Sequence, residues 1–390
     1  MRIVHVITRM ILGGAQENTL FSVEGLRERG HDVLLVTGPA IGPEGDLLRR
    51  AREHGVTTVV VGSMRRAINP VLDAIAFVRL LVIIARFKPD VVHTHSSKAG
   101  ILGRLAARLC RVPVVVHTIH GLAFHQYQRA VVNWLYVLLE RWCARYSDRI
   151  ICVADAMTEQ ALAARVGRRE QFVTVYSGME VKPFLGASEH RERVRRELGI
   201  ADDEVVVGKI ARLSDLKGHK YLLEAMPRVV ERFGRVRFVL VGDGWLTERL
   251  KRRAEALGVA ERIVWTGLVS PSRIPELVGA MDVVVHTSLR EGLARVLPQA
   301  LIAGVPVVSF DVDGAREVVI DGETGYLVQP KAVDELVERL CRLLESSELR
   351  ARMGQAGRQL CSERFRVEAM VEGIEEVYGC ARVDERADSG

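Results

Sequence analysis

Aromatic side chains make up 5% of this 390-residue chain, and nowhere do they interleave with a run of Lys and Arg. Proteins that stack bases along a basic groove need that interleaving, so a nucleic-acid partner is excluded. The six cysteines (Cys110, Cys143, Cys152, Cys341, Cys361 and Cys380) have no paired short spacing. A disulfide framework is therefore not expected, and the residues read as buried thiols in a reducing compartment. No long uncharged apolar run exists, because Asp73, Arg79 and Arg86 interrupt the most hydrophobic stretch, Val71 to Phe87. A helix packed on a sheet is expected there, while Arg65 and Arg66 just ahead of it keep an interfacial, membrane-facing reading open. The opening Met-Arg-Ile-Val-His-Val-Ile-Thr has neither the apolar core nor the cleavage site of a secretion signal, which points to the cytoplasm. Internal repeats and low-complexity tracts are also absent.

Charge is unevenly placed. Residues 1–180 carry 23 Lys+Arg against 15 Asp+Glu, and the rest carries 32 against 34, so the net +6 arises in the first half. Such an excess suits a phosphorylated ligand, anionic lipid headgroups or plain solubility. At 48% hydrophobic content the chain is too long for one core and fits two domains of about 180 to 200 residues each.

Short β-branched runs alternate with helical patterns throughout, the mark of βαβ units on parallel sheets. Strands are expected at Ile3–Thr8, Asp32–Thr37, Thr57–Val61, Val91–His95, Pro113–Thr118, Arg149–Val153 and Phe172–Tyr176. A second series follows at Val205–Ile210, Val236–Val241, Arg262–Thr266, Asp282–Thr287, Pro306–Ser309 and Gly325–Val328. The fold class is α/β, with two tandem doubly wound Rossmann-like domains facing across a cleft. The expected divisions are 1–180, a linker at 181–203, 204–366, and a C-terminal helix at 367–390 that can cross back to the first domain, its last nine residues frayed.

Glu291 stands at the end of the buried run Asp-Val-Val-Val-His, and Pro298 marks a helix start near Ala294 to Leu297. Helix-end amides favour an anion and the carboxylate accepts from hydroxyls, so a ligand carrying both phosphate and hydroxyls fits. Arg212 and Lys217 follow the strand Val205–Ile210 and can grip a diphosphate, or form a solvated basic loop. Gly14, after the first strand, either admits a phosphate to the next helix or makes a simple βα turn. Neither Gly13-Gly14 nor Gly242-Asp-Gly-Trp-Leu-Thr247 completes G-x-G-x-x-G, which disfavours a dinucleotide oxidoreductase. His93, His95 and His117 lie near strand ends but lack a carboxylate or thiolate at ligand spacing, so no metal is expected. Asp311-Val-Asp313 is expected to shape the loop before Gly314.

Taken in order, Gly13-Gly14-Ala15-Gln16, His93 to Gly100, His117 to Gly121, Arg212 with Lys217-Gly218, Val241 to Gly244 and the Glu291 segment resemble the retaining glycosyltransferases of family 4, which have the GT-B architecture. The resemblance covers nearly the whole chain. It implies transfer of a sugar from a nucleotide-diphosphate sugar to an acceptor hydroxyl with retention, without metal or cofactor. It places Arg212 and Lys217 on the diphosphate, Glu291 on donor-sugar hydroxyls, and the amides of Gly292, Leu293 and Ala294 beside sugar and phosphate. The Gly13–Gly14 loop meets the diphosphate from the N-terminal domain, Gly242 belongs to the substrate set, and His120 points toward the donor sugar unless it is merely structural. Position 299, where the family pattern has a second Glu for the ribose, is Gln299, which gives one acceptor in place of a carboxylate. The N-terminal domain would bind the acceptor, and its basic, apolar character directs attention to a lipid-linked or cell-envelope glycan and to peripheral contact with the membrane's inner face. A nucleotide-sugar 2-epimerase, a phosphorylase or a non-catalytic nucleotide-sugar-binding protein are the competing readings.

Overall fold

The computed structural model describes residues 1–40 and 47–388, without the side chains of 383–388. It contains two compact units, Met1–Met179 with Arg366–Gly390, and Glu180–Phe365. In the first, strands β1 (Arg2–Ile7), β2 (Asp32–Thr37), β3 (Thr57–Val60), β4 (Val91–His95), β5 (Val114–Ile119), β6 (Arg149–Cys152) and β7 (Phe172–Thr174) form a sheet in the order β3-β2-β1-β4-β5-β6-β7. The second carries β8 (Val205–Ile210), β9 (Val236–Val241), β10 (Ile263–Gly267), β11 (Val283–His286), β12 (Val307–Phe310) and β13 (Gly325–Val328), in the order β10-β9-β8-β11-β12-β13. All pairings within both sheets are parallel.

Every strand falls within two residues of its expected bounds. Valine-rich runs such as β4, β5 and β11 are buried along their whole length, because helices cover the sheet and β-branched side chains pack well on a pleated surface. Strand order reverses between β1 and β4 in one sheet and between β8 and β11 in the other. In open α/β sheets that reversal opens a crevice at the strands' carboxyl ends, which directs attention to the residues after Ile7, His95, Ile210 and His286.

Three expectations are corrected. Residues 181–203 are not a separate linker but part of the second unit: they hold the helices Lys182–Leu185 and Arg191–Glu197, and Arg191 and Arg195 each donate to Asp282 at 2.6 Å. The tail does not fray from Arg382, because the helix Val367–Asp388 runs through residues that contain no breaker. Ser389 and Gly390 lie outside the described residues. Among the cysteines, Cys380 is exposed and Cys110 half-buried, while the other four are buried.

The last helix belongs to the first unit. Its Met370, Val371, Ile374, Val377 and Tyr378 join Ile3, Ile7, Val91, Val114 and Val116 in one core. Ion pairs of Arg29 with Glu372 (2.7 Å) and Glu375 (2.9 Å) fix its outer edge.

The helix Pro70–Phe87 starts on Asn69, whose side chain accepts from the amides of Val71 and Leu72, with Pro70 in the first turn. It packs by the narrow stripe Ala76, Leu80 and Ile84 and leaves Val71, Ile75, Val78 and Val82 exposed along one face. No helix among the described residues is long and apolar enough to cross a membrane.

Candidate active site

At the reversal in the second sheet, β8 and β11 each end in a loop, and hydrogen bonds stitch the two loops together. Leu289 N donates to Leu216 O at 2.8 Å, and the Thr287 hydroxyl donates to Gly218 O at 2.9 Å. Gly218 has φ 65°, and a Cβ there would lie 1.8 Å from Thr287 O. Only glycine permits this approach. Its consequence is that Lys217 Nζ meets Glu291 Oε1 in an ion pair, although 74 residues separate them.

Glu291 is held from three sides. The His286 ring nitrogen Nε2 lies 3.5 Å from the same carboxylate oxygen, and Glu291 N donates to Asp313 Oδ2 at 2.5 Å. Asp313 thus shapes the loop, while Asp311 pairs with Arg316. Burial alone would raise the Glu291 carboxyl, but the Lys217 ammonium and the His286 ring override it and hold it well below the ordinary carboxylate range.

Beneath the pair lies Lys209, fully buried in β8, donating to Thr287 Oγ1 at 2.9 Å. Burial, with Lys217 as a second cation nearby, pushes its ammonium down to about 7. Two lysines against one carboxylate make a site that favours an anion. Sequence reasoning passed over Lys209, although a lysine inside a β-branched run just ahead of Arg212 is the kind of buried charge that marks function.

Since an unfolded lysine titrates near 10.4, the folded chain binds fewer protons than the unfolded one between about pH 7 and 10, and Lys209 penalises folding most at the low end of that window. Lys209→Met should therefore be more stable than wild type at pH 7, with the difference shrinking toward pH 10. Urea unfolding across that range checks it, and a difference independent of pH would contradict the burial of a charge.

Both ring nitrogens of His219 and the Ser288 hydroxyl are buried without a hydrogen-bond partner among the described residues. Burial pushes His219 down to about 2, so the ring is neutral and adds no charge to the site.

Arg212 is exposed in the loop after β8. Gly242 (φ 131°) passes beneath that loop: a Cβ there would stand 2.3 Å from Ala211 O, and Leu213 N donates to Asp243 O at 2.9 Å. Gly292, Leu293 and Ala294 bridge from Glu291 to the helix Val296–Ile302, in which Gln299 is half-buried, and Gly314 N fastens Gly292 O at 3.0 Å.

In the first unit, the reversal between β1 and β4 carries the remaining expected residues. Gly13 precedes the helix Gly14–Glu28, whose first bond runs from Glu17 N to Gly13 O at 2.9 Å. Ala15, Ser96, Ser97, His120 and Glu140 line a cavity of about 260 Å³. Arg104, 1% exposed, donates to Glu140 Oε2 at 3.3 Å and to Gly100 O at 2.8 Å, which fixes the acid at the cavity edge.

His93, His95 and His117 are wholly buried in β4 and β5. The histidines that come together are His5, His93 and His95, each with a ring nitrogen within 4.8 Å of the others. All six of their nitrogens are engaged by one another, by Tyr378, by Thr118 or by His120, so an ion there would have to displace those bonds.

Comparison with known proteins bears on both units. Residues 190–360 match the family profile described as glycosyl transferases group 1, and residues 13–178 match a glycosyl transferase 4-like domain. The Escherichia coli enzyme named UDP-Gal:alpha-D-GlcNAc-diphosphoundecaprenol alpha-1,3-galactosyltransferase is 29% identical over 97% of this chain and 96% of its own. The putative glycosyltransferase EpsD of Bacillus subtilis (strain 168) is 31% identical over 77% of this chain and 79% of its own. Anabaena HepE, solved in complex with UDP-glucose, shares the fold at a TM-score of 0.83 and 24% identity, over 97% of this chain and all of that one.

Proposed function

The chain belongs to the GT-B glycosyltransferases of the group 1 and family 4 kind, and from that premise we propose that it is a retaining enzyme moving a sugar from a nucleotide-diphosphate sugar to a lipid-linked glycan acceptor. The observation that carries this reading is the ion pair of Lys217 with Glu291 above buried Lys209, at the strand-order reversal of the second sheet.

Cleavage of the anomeric bond leaves negative charge on the β-phosphate, and catalysis needs cations aimed at it. Lys217 and Arg212 supply them, with Lys209 behind. Lysine has three donors, so Lys217 can hold Glu291 and a phosphate oxygen together. Glu291, kept ionised by its neighbours, accepts from donor-sugar hydroxyls. Gln299 takes the ribose side, with the amides of Gly292 to Ala294 beside the sugar, Gly242 supporting the Arg212 loop, and Gly13, Gly14 and His120 acting from the N-terminal domain. That domain would bind the acceptor, and the second unit, Glu180–Phe365, the donor. The acceptor hydroxyl attacks on the leaving-group face and gives its proton to the departing phosphate, which retains configuration.

Two features support a lipid-linked acceptor. The E. coli relative's name specifies UDP-galactose and a sugar on diphosphoundecaprenol. The first unit also exposes apolar helix faces: Val71, Ile75, Val78 and Val82 on Pro70–Phe87, and Val131, Trp134, Leu135, Leu138 and Trp142 on Ala130–Ala144. Exposed Arg65, Arg66, Arg79, Arg86, Arg129 and Arg145 flank them. Apolar faces edged by arginine suit the surface of an anionic bilayer, so peripheral binding to the inner face of the membrane is part of the proposal.

Sedimentation with phosphatidylglycerol vesicles should pull the protein down, and Val71→Glu with Trp134→Glu should leave it in the supernatant. Retention of the double variant on vesicles would remove these faces from the account.

The function itself is tested with UDP-, GDP- and ADP-sugars, ranked first by thermal shift and then incubated with and without a polyprenyl-diphosphate sugar. Transfer that requires the lipid acceptor, with an unchanged anomeric configuration by NMR, is the expected result. Conversion of the donor alone into another nucleotide sugar would identify an epimerase instead.

A further inference from the structure

One face of the first sheet carries an unbroken line of hydrogen bonds that ends at the cavity. Thr118 Oγ1 is 2.6 Å from His93 Nε2, and His93 Nδ1 is 2.6 Å from the Tyr378 hydroxyl. That hydroxyl is 3.3 Å from His5 Nε2, His5 Nδ1 is 2.9 Å from His95 Nε2, and His95 Nδ1 is 3.1 Å from Nε2 of cavity-lining His120. The alignment follows from strand pairing. His5 on β1 is the register partner of His93 on β4, and His95 lies two residues further along the same face. The C-terminal helix covers that face and inserts Tyr378 into the row.

The line is informative because of what a neutral imidazole can do. Burial keeps His5, His93 and His95 uncharged, with His5 pushed down to about 3 and the other two held well below their ordinary value. A neutral ring has one N–H and one lone pair, so each of the three must donate at one end and accept at the other. A direction chosen at an imidazole therefore sets the links on both sides of it. Tyr378 is the one place where the line could break, by its hydroxyl accepting from both His93 and His5, but its own buried hydrogen would then have no acceptor among the described residues. With the hydroxyl donating, two arrangements exist, one running toward His120 and one away from it.

The Thr118 end decides between them. If His93 donated to Thr118, the buried Thr118 hydroxyl hydrogen would have no other acceptor among the described residues. Unmade buried donors are costly, so the direction with every donor used is favoured: Thr118 to His93, to Tyr378, to His5, to His95, to His120.

We propose that Thr118, His93, Tyr378, His5 and His95 are positioning residues that impose one tautomer on His120: Nε2 accepts from His95, the ring proton sits on Nδ1, and His120 faces substrate as a hydrogen-bond donor. Its bearing on catalysis rests on the transferase reading above, while the tautomer is a property of the resting protein. The coupling spans the chain, because Tyr378 stands 258 positions beyond His120.

The test is ¹⁵N-histidine NMR on the full-length protein. In wild type, His120 should show a protonated Nδ1 and an unprotonated Nε2. Tyr378→Phe keeps the ring but removes the hydroxyl, and should convert the His120 signals to a tautomer mixture. Thr118→Val should move them the same way from the far end, and Thr118→Ser should restore the wild-type pattern. With donor and acceptor supplied, Tyr378→Phe should lower kcat by about tenfold with KM for the donor unchanged, as loss of an orienting partner does.

His120 signals unaffected by both Tyr378→Phe and Thr118→Val would overturn the line, whatever the activity. One zinc per chain after dialysis would overturn it too, because a tetrahedral ion bound there takes the nitrogens the line uses. A shifted tautomer with unchanged transfer kinetics would instead remove His120 from the reaction and leave the line standing.

Discussion

Lys217→Ala should lower the rate of transfer by roughly 10² to 10³, the loss seen when one preorganised donor to a developing oxyanion is removed. The effect is electrostatic. Lys217 sits on Glu291 at the carboxyl end of β11, with buried Lys209 behind, and a leaving diphosphate needs cations already in place. Stability should fall less. Glu291 retains only 17% side-chain exposure, so water screens it in part, but Lys209 and His286 stay beside the carboxylate, and a loss of about 1 to 3 kcal/mol is expected. Single-turnover transfer and urea unfolding measured on the same preparation separate the two effects. Wild-type turnover in a folded Lys217→Ala protein would take Lys217 out of the mechanism.

Gly218→Ala should damage both properties. The new methyl would stand 1.8 Å from Thr287 O, at φ 65°, where L side chains are strained in any case. Something must give, and what gives is the approach of the β8 and β11 loops that puts Lys217 on Glu291. A stability loss of about 2 to 4 kcal/mol is expected from overpacking plus backbone strain. Transfer should drop at least as far as in Lys217→Ala. Gly258→Ala is the control, since Gly258 has a similar φ of 69° with nothing within 4 Å of the added Cβ. It should cost only the backbone strain, about 1 kcal/mol, and leave transfer intact. Equal effects at the two positions would mean that the loop contact contributes nothing.

The strands were legible in the sequence because burial on both faces of a parallel sheet demands runs such as Val91-Val92 and Val283-Val284-Val285, which have few other uses. The loops were legible in part. Arg212, Lys217 and Glu291 could be marked as polar residues at strand ends, but the ion pair depends on Gly218 touching Thr287, a contact across 69 positions. Lys209 escaped notice since a single lysine in a strand usually signals an exposed edge, and only the strand order shows β8 to be central. His93, His95 and His117 were legible as strand-end residues to be weighed together for a metal, but His5 was not seen to join His93 and His95. Their row depends on the pairing of β1 with β4 and on a tyrosine from the last helix, and no local pattern reports either. The expectation of a frayed tail took polarity for disorder, although Arg-Val-Asp-Glu-Arg contains neither Gly nor Pro to stop a helix.

The last helix has a consequence for how the protein comes into being. Met370, Val371, Ile374, Val377 and Tyr378 complete a core whose other members lie before residue 180. A nascent chain leaving the ribosome therefore presents the first sheet with part of one apolar face uncovered, the part that Leu20, Phe21, Leu26, Leu47 and Leu48 of earlier helices do not reach, while the whole second unit is still being made. That part is closed only once Met370 to Ala381 have been made, so the first unit is completed after the second although its sheet is synthesised before it.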